Sequence, residues 1–247
     1  MNFDNTGIKK IGKANEVQYG FVSDFCKYLM RNDIFCWLDH GSLLGAVRGR
    51  ISWDKDIDIS IMIDSVEKIK ECFNNYFLEK GYSSGDVQNI FTYIKLHDDT
   101  NFFGGSSISI DHDNKIFCMF NTIIPKQQRQ KIIIGPWIDC FIIREYNKDF
   151  IINTHLPMFF HPKELIFPLK QITDKLGNDF WIPKEERKIL SLIYDDWYIP
   201  QKMSFSQCMQ KRVDVLTNNI EYNEIWKKIK EKYPDYITRQ KRIGVRL

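Results

Sequence analysis

The sequence is poor in most features that mark specialised protein classes. Its six cysteines (Cys26, Cys36, Cys72, Cys118, Cys140 and Cys208) are scattered and form no CxxC pair. That argues against a zinc ribbon or a disulfide-stapled scaffold and points to a reducing compartment. Long apolar runs are missing: the longest stretch without a formal charge, Phe150 to Pro162, is too short to cross a bilayer as a helix. The N-terminal segment MNFDNTGIKKIGKANE lacks the apolar core of a secretory signal. Charge of one sign is also lacking, since 35 Lys and Arg stand against 32 Asp and Glu for a net +3. A nucleic-acid binder carries a much stronger basic excess. No repeat at solenoid periods and no low-complexity block occurs. What is there suffices for a real core: 247 residues, of which 43% are hydrophobic and 14% aromatic. That length accommodates one large domain or a domain with a smaller appendage.

Periodicity organises the chain. Val17, Phe21, Val22, Phe25, Leu29 and Met30 form one stripe of a helix over residues 14–31. The apolar run Ile34 to Leu38 reads as a strand ending at Asp39-His40-Gly41, and Ser42 is placed to cap a short helix running through Arg48. A period-two segment spans Asp54 to Asp64, and an amphipathic helix over 65–80 turns Val66, Ile69, Phe73, Tyr76 and Phe77 inward. Further strands are expected at 90–96, 106–110, 116–124 and 137–143. Beyond residue 150, Pro157, Pro162, Pro168, Pro183 and Pro200 punctuate loops and short helices, and helices are expected near 204–217 and 221–233. The resulting division is a core of strands and helices with an N-terminal helix over 1–150 and a mostly helical region over 151–247. From Lys211 onward ten Lys and Arg face five Asp and Glu. A solvated helical face accounts for this tail better than a docking surface for an anionic acceptor or a membrane.

The segment Trp53-Asp54-Lys55-Asp56-Ile57-Asp58-Ile59-Ser60-Ile61-Met62-Ile63 carries the sharpest chemistry. Strand side chains alternate faces, so Ile57, Ile59, Ile61 and Ile63 share a core face while Asp54, Asp56, Asp58 and Ser60 share the other. Carboxylates so spaced repel one another unless a hard divalent cation lies among them. Aspartate is disfavoured in strands, so a solvated acidic face explains the pattern less well. Trp137-Ile138-Asp139-Cys140-Phe141-Ile142-Ile143 is apolar on both faces, which marks a buried strand. A carboxylate there must be paired, protonated or bound to metal, and Asp139 beside Asp56 and Asp58 would complete a three-carboxylate cradle. The Gly41-Ser42 turn precedes a short helix, where backbone N–H groups can approach a phosphate and Arg48 can neutralise another oxygen. His40 reads as a turn histidine rather than a ligand.

Trp37 to Arg48, followed by Trp53 to Ile59, resembles the signature of the LicD/fukutin family of the nucleotidyltransferase-fold superfamily: a Gly-Ser turn followed by an Asp-x-Asp strand. Lys95 to Thr100 is similar to the family's Lys-then-Thr segment, and Gly135 to Phe141 to its third-carboxylate strand. Leu165-Ile166-Phe167-Pro168-Leu169, with Phe180, Pro183, Leu190, Tyr194, Trp197 and Pro200, resembles the family's later pattern. The chain departs from it at Phe141-Ile142-Ile143-Arg144, where Phe-Pro-Leu is usual, and at Asp195, where glycine is usual. The resemblance implies an α/β (α+β) fold with a mixed sheet flanked by helices. It also implies transfer of a phosphorylated alcohol from a CDP-linked donor, CDP-choline or CDP-ribitol, to a glycan hydroxyl with release of CMP. Asp56, Asp58 and Asp139 would then hold Mg²⁺ or Mn²⁺, and Gly41, Ser42, Arg48 and Lys95 would serve the phosphates.

Without the membrane anchor of the fukutin-like members, the expectation is a cytoplasmic, bacterial-type enzyme. It would modify a lipopolysaccharide, teichoic acid or capsule precursor, or another lipid-linked sugar, at the inner face of the membrane. Choline recognition requires aromatic faces, and Trp53, Trp137, Trp181, Trp197 and Tyr198 are available. Two rival readings use the same residues. One is an NTP-dependent nucleotidyltransferase acting on a small molecule, which would release pyrophosphate instead of CMP. The other is a non-catalytic cation-binding scaffold.

Overall fold

The computed structural model describes residues 19–48, 56–64, 66–80, 105–110, 116–120, 137–154, 156–199, 201 and 203–247. At Asp56, 66–67, 69–70, 77, 105–110, 116–120, 137–139, 205 and 239 the description is of backbone placement, so the inward turn expected of Val66, Ile69 and Phe77 lies outside it. The expected strand at 90–96, with Lys95, lies outside the described residues, as do Trp53, Asp54 and the first residues of the N-terminal helix.

Helix α1 covers residues 19–31 and buries Val22, Phe25, Cys26 and Leu29. It leads to β1 (Cys36–Leu38) and α2 (His40–Val47). Next come β2 (Asp56–Met62), α3 (Val66–Glu79), β3 (Gly105–Ile110), β4 (Ile116–Phe120) and β5 (Trp137–Glu145). The sheet order is β1-β2-β5-β3-β4, with β2 and β5 parallel and the other pairs antiparallel. The fold is thus α/β with a mixed sheet and flanking helices. The period-two reading of β2 holds: Ile57, Ile59, Ile61 and Ile63 are all at most 5% exposed. Each contributes about 1.5–3 kcal/mol through burial. Across the core, Phe25 of α1 meets Phe73 and Tyr76 of α3 at centroid separations of 5.0 Å.

Beyond residue 150 the chain first continues as sheet. Strand β6 (Phe150–Asn153) pairs with the end of β5, and β7 (Phe160–Pro162) pairs with β6. After the single turn α4 (Lys163–Ile166), β8 (Lys170–Thr173) and β9 (Asp179–Ile182) form a separate two-stranded ribbon. Helices take over only at α5 (Glu186–Tyr194), which is succeeded by α6 (Phe205–Asn218), α7 (Ile220–Lys232) and α8 (Pro234–Arg242). The expectation of a mostly helical region therefore fits from α5 onward, while 150–182 carries four short strands. Strands of three or four residues hold too few alternations to register as a period. Among the described residues no helix is long and apolar enough to cross a membrane.

Candidate active site

The site forms where β1 runs into α2. Asp39, not Ser42, caps the helix: its backbone is extended (φ −132°, ψ 175°), and its carboxylate accepts the His40 N–H at 2.7 Å. Both residue types are good caps, but the three-residue β1 ends one residue before Asp39 and the helix begins directly after it. Ser42 falls inside the first turn and does something else. Its hydroxyl accepts the Asp58 backbone N–H at 2.8 Å, while the Gly41 N–H donates to Asp58 Oδ2 at 3.0 Å. The Asp39 N–H also donates to the Asp58 carbonyl at 3.0 Å. Asp58 is thus held at its amide, carbonyl and carboxylate by Ser42, Asp39 and Gly41, and is 9% exposed. The Gly41 donor expected on a phosphate is engaged by this carboxylate.

Strand register gathers the other carboxylates. Asp58 is the direct partner of Asp139, and Asp56 that of Trp137, on adjacent parallel strands. Residues of one parity share a face, so Asp56, Asp58, Ser60, Asp139 and Phe141 lie on the same side of the sheet. Ser60 and Asp58 on that side are buried, so the acidic face at β2 is not simply solvated. Neighbouring parallel strands lie about 4.8 Å apart, so opposed carboxylates there repel without a cation or proton between them. Aspartate oxygens are the donors a hard divalent ion takes, which makes these strand positions the candidates for one. Among the described residues no group of three His, Cys, Asp or Glu side chains could hold a metal, and Asp56 and Asp139 enter by strand position alone.

Arg48 lies at the other end of α2, and its guanidinium donates to the Trp197 carbonyl. It stands seven residues beyond Gly41 along the helix, a rise of about 10 Å. There it lines a cleft of about 110 Å³ with Leu44, Tyr194, Trp197 and Lys211. Of the residues assigned to phosphate, Gly41 and Ser42 meet at Asp58, and Arg48 stands apart.

A buried polar cluster behind the turn went unrecognised in the sequence. Asp39, 4% exposed, also accepts the Ser60 hydroxyl at 2.5 Å. Burial works against its charge, but His40, the His40 hydrogen bond, His161 and Ser60 outweigh it and hold its pKa at about 2. His40, read as a turn histidine, has a left-handed φ of 43° at the start of α2, and its side chain is only 12% exposed with both ring nitrogens shielded from solvent. Its Nδ1 lies 3.2 Å from Asp39 Oδ1, and its ring stacks on Phe141 at 4.6 Å. Burial disfavours the imidazolium, yet the Asp39 carboxylate, aided by Asp58, raises the His40 pKa above its ordinary value. His161 behaves oppositely: burial and the charge of Arg212 push it down to about 3. Neither of its ring nitrogens has a hydrogen-bond partner among the described residues.

A carboxylate strand gripped by a Gly-Ser helix start, and paired in parallel with a second carboxylate strand, defines a nucleotidyltransferase-like catalytic domain. Residues 33–185 match the family described as LicD/FKTN/FKRP, nucleotidyltransferase domain, and the chain belongs to this LicD family. No curated protein matches the sequence. Family membership supports a transferase with a phosphotransferase-like role in glycan modification. In general terms it implies a nucleotide-sugar or CDP-type donor and a glycan acceptor.

Proposed function

We propose that this protein moves a phosphorylated alcohol, phosphocholine in the first instance, from a CDP-linked donor to a glycan hydroxyl and releases CMP. The observation that carries the reading is the in-register pairing of Asp58 with Asp139 while Gly41 and Ser42 fix Asp58. Asp56, Asp58 and Asp139 would hold Mg²⁺ or Mn²⁺, which neutralises the donor diphosphate and the charge that develops on the reacting oxygens. The acceptor oxygen bonds to the phosphorus bearing the alcohol, and the bond from that phosphorus to the CMP oxygen breaks. The proton of the attacking hydroxyl passes to the Asp139 carboxylate. Asp58, fixed by the Gly41 N–H, would present its free oxygen to the cation that faces the diphosphate, without reorganising. The Ser42 hydroxyl accepts from the Asp58 amide and keeps its own proton for a phosphoryl oxygen. Lys95 is the further phosphate partner. Trp197 and Tyr198, edge to face at 6.3 Å, supply the kind of ring surface a quaternary ammonium prefers. The acceptor is a lipid-linked or surface glycan precursor, met by the protein at the cytoplasmic membrane face.

The test is a donor screen with CDP-choline, CDP-ribitol, CDP-glycerol and CDP-ethanolamine, with and without Mg²⁺. Metal-dependent CMP release from one of them, greatest with CDP-choline, is the expected result. Pyrophosphate release from an NTP, with no CMP from any CDP donor, would establish the nucleotidyltransferase alternative. A folded protein inert in both assays would leave the non-catalytic scaffold reading, and Mg²⁺ calorimetry would then tell a cation-binding scaffold from one that binds no cation.

A further inference from the structure

Helix α6 buries Met209, Arg212, Val213 and Leu216, one helical stripe with an arginine in its middle. A guanidinium taken out of water is costly unless its charge and donors are met. Arg212 is 0% exposed and forms no ion pair among the described residues. Its fork instead donates to three main-chain carbonyls: Nε to Met158 at 2.9 Å, Nη2 to Phe160 at 2.8 Å and Nη1 to Leu192 at 2.5 Å. The cation also lies over the rings of Phe159 and Phe160, at 5.7 and 5.4 Å. The segment ahead of β7 is thereby tied to the end of α5.

Phe159, in the middle of that segment, sets its ring at 63° to the His40 imidazole at 4.7 Å, and Phe141 stacks on His40 at 4.6 Å. His40 is therefore clamped between two rings in a left-handed backbone conformation that non-glycine residues rarely adopt. The next residue is Gly41, whose N–H orients the Asp58 carboxylate. A contiguous set of contacts thus runs from Arg212 through Phe159 and His40 to the turn that grips Asp58.

We propose that Arg212 is a positioning residue: by fixing Phe159 against His40 it holds the turn that presents the Gly41 N–H to Asp58. Arg212 lies beyond residues 33–185 of the family match, and by this route the C-terminal helices would steady a site they do not themselves line. The purpose of the grip rests on the phosphotransfer reading; its mechanical origin does not.

The experiment compares amide hydrogen exchange at Gly41 with that at Ile59 and Ile61 in the parent, Arg212→Lys, Phe159→Leu and the double variant. Lysine keeps the charge but cannot span three carbonyls. Phe159→Leu keeps the fork and tests the same route. Gly41 should exchange at least tenfold faster in each single variant, with Ile59 and Ile61 within twofold of the parent. The double variant should add little to either. Unchanged Gly41 protection in the variants overturns the proposal, as does a uniform acceleration of all three amides. Turnover is read in parallel: kcat for CMP release should fall with little change in donor KM. Selective Gly41 exchange in a chain that releases no CMP would sink the phosphotransfer reading and leave the positioning intact. Active variants with Gly41 fully protected would do the reverse.

Discussion

At the residue scale, Asp58 carries two separable duties. Its carboxylate accepts from Gly41, and in the proposed reaction it meets the cation. Asp58→Asn keeps an acceptor oxygen for Gly41 and removes the charge. Thermal midpoint without metal should therefore hold or rise slightly, since repulsion with Asp139 is relieved. Stabilisation by Mg²⁺ should shrink and CMP release should fall by orders of magnitude. Near-parental, metal-dependent turnover in this variant would exclude the acidic strand as the cradle. His161 gives a different signal. Its pKa in the fold is about 3, against an ordinary 6.5, so below pH 6.5 the unfolded chain binds the extra proton. Its contribution to stability is complete above that pH and falls, by roughly 1 kcal/mol per pH unit, on acidification towards 3. His40, with a raised pKa, has the opposite sign: its contribution is present in acid and is lost as pH rises through its folded pKa. Urea midpoints at pH 7 and pH 4.5 should show a smaller acid loss for His161→Gln than for the parent. An equal loss would mean that His161 is not held neutral. These histidines were not legible in the sequence, because burial beside Asp39 and Arg212 comes from elements far apart along the chain.

At the scale of elements, β2 was legible and α2 only partly so. Four isoleucines in strict alternation leave one choice of core face, and all four are buried. The start of α2 turns on whether Asp39 or Ser42 caps it, which composition alone does not decide. The structure gives the cap to Asp39 and uses Ser42 to satisfy β2. Ser42→Ala therefore should not behave as a lost cap. It leaves the buried Asp58 N–H without an acceptor, at a cost of about 1–3 kcal/mol, and frees the strand at the carboxylate itself. Chemical denaturation should report that loss, and Ser42→Thr, which retains the hydroxyl, should recover most of it. A loss of only a few tenths, as at an exposed hydroxyl, would contradict the role. The pairing of Asp58 with Asp139 was expected but not readable, because α3, β3 and β4 intervene between the two strands. Arg212 left a signal that net charge concealed: it sits within the apolar series Met209, Val213, Leu216, yet it counts with the basic tail.

At the scale of the whole molecule, the question is whether residues 33–185 fold without the C-terminal helices. Beyond residue 185 the chain buries Ile189, Leu190, Ile193, Met209, Val213, Leu216, Tyr222, Trp226, Ile229, Tyr236 and Val245. Part of this set reaches the sheet. Tyr222 of α7 packs on Phe150 and Phe160, at 6.3 and 6.0 Å, and Arg212 ties α6 to Met158 and Phe160. Each buried apolar side chain is worth about 1.5–3 kcal/mol, so losing half of them is comparable to the whole 5–15 kcal/mol by which a domain is usually stable. Removal of residues 186–247 should therefore strip the cover from β6 and β7 and leave Phe150, Phe159 and Phe160 facing water. The shortened chain should keep some far-ultraviolet dichroism, lose its near-ultraviolet signal, bind ANS and show no cooperative melt. Adding the missing helices back as a separate polypeptide should restore the near-ultraviolet signal if association alone supplies the cover. A shortened chain that melts cooperatively within a few degrees of the parent would show instead that the matched segment is an independent domain and the C-terminal helices an appendage.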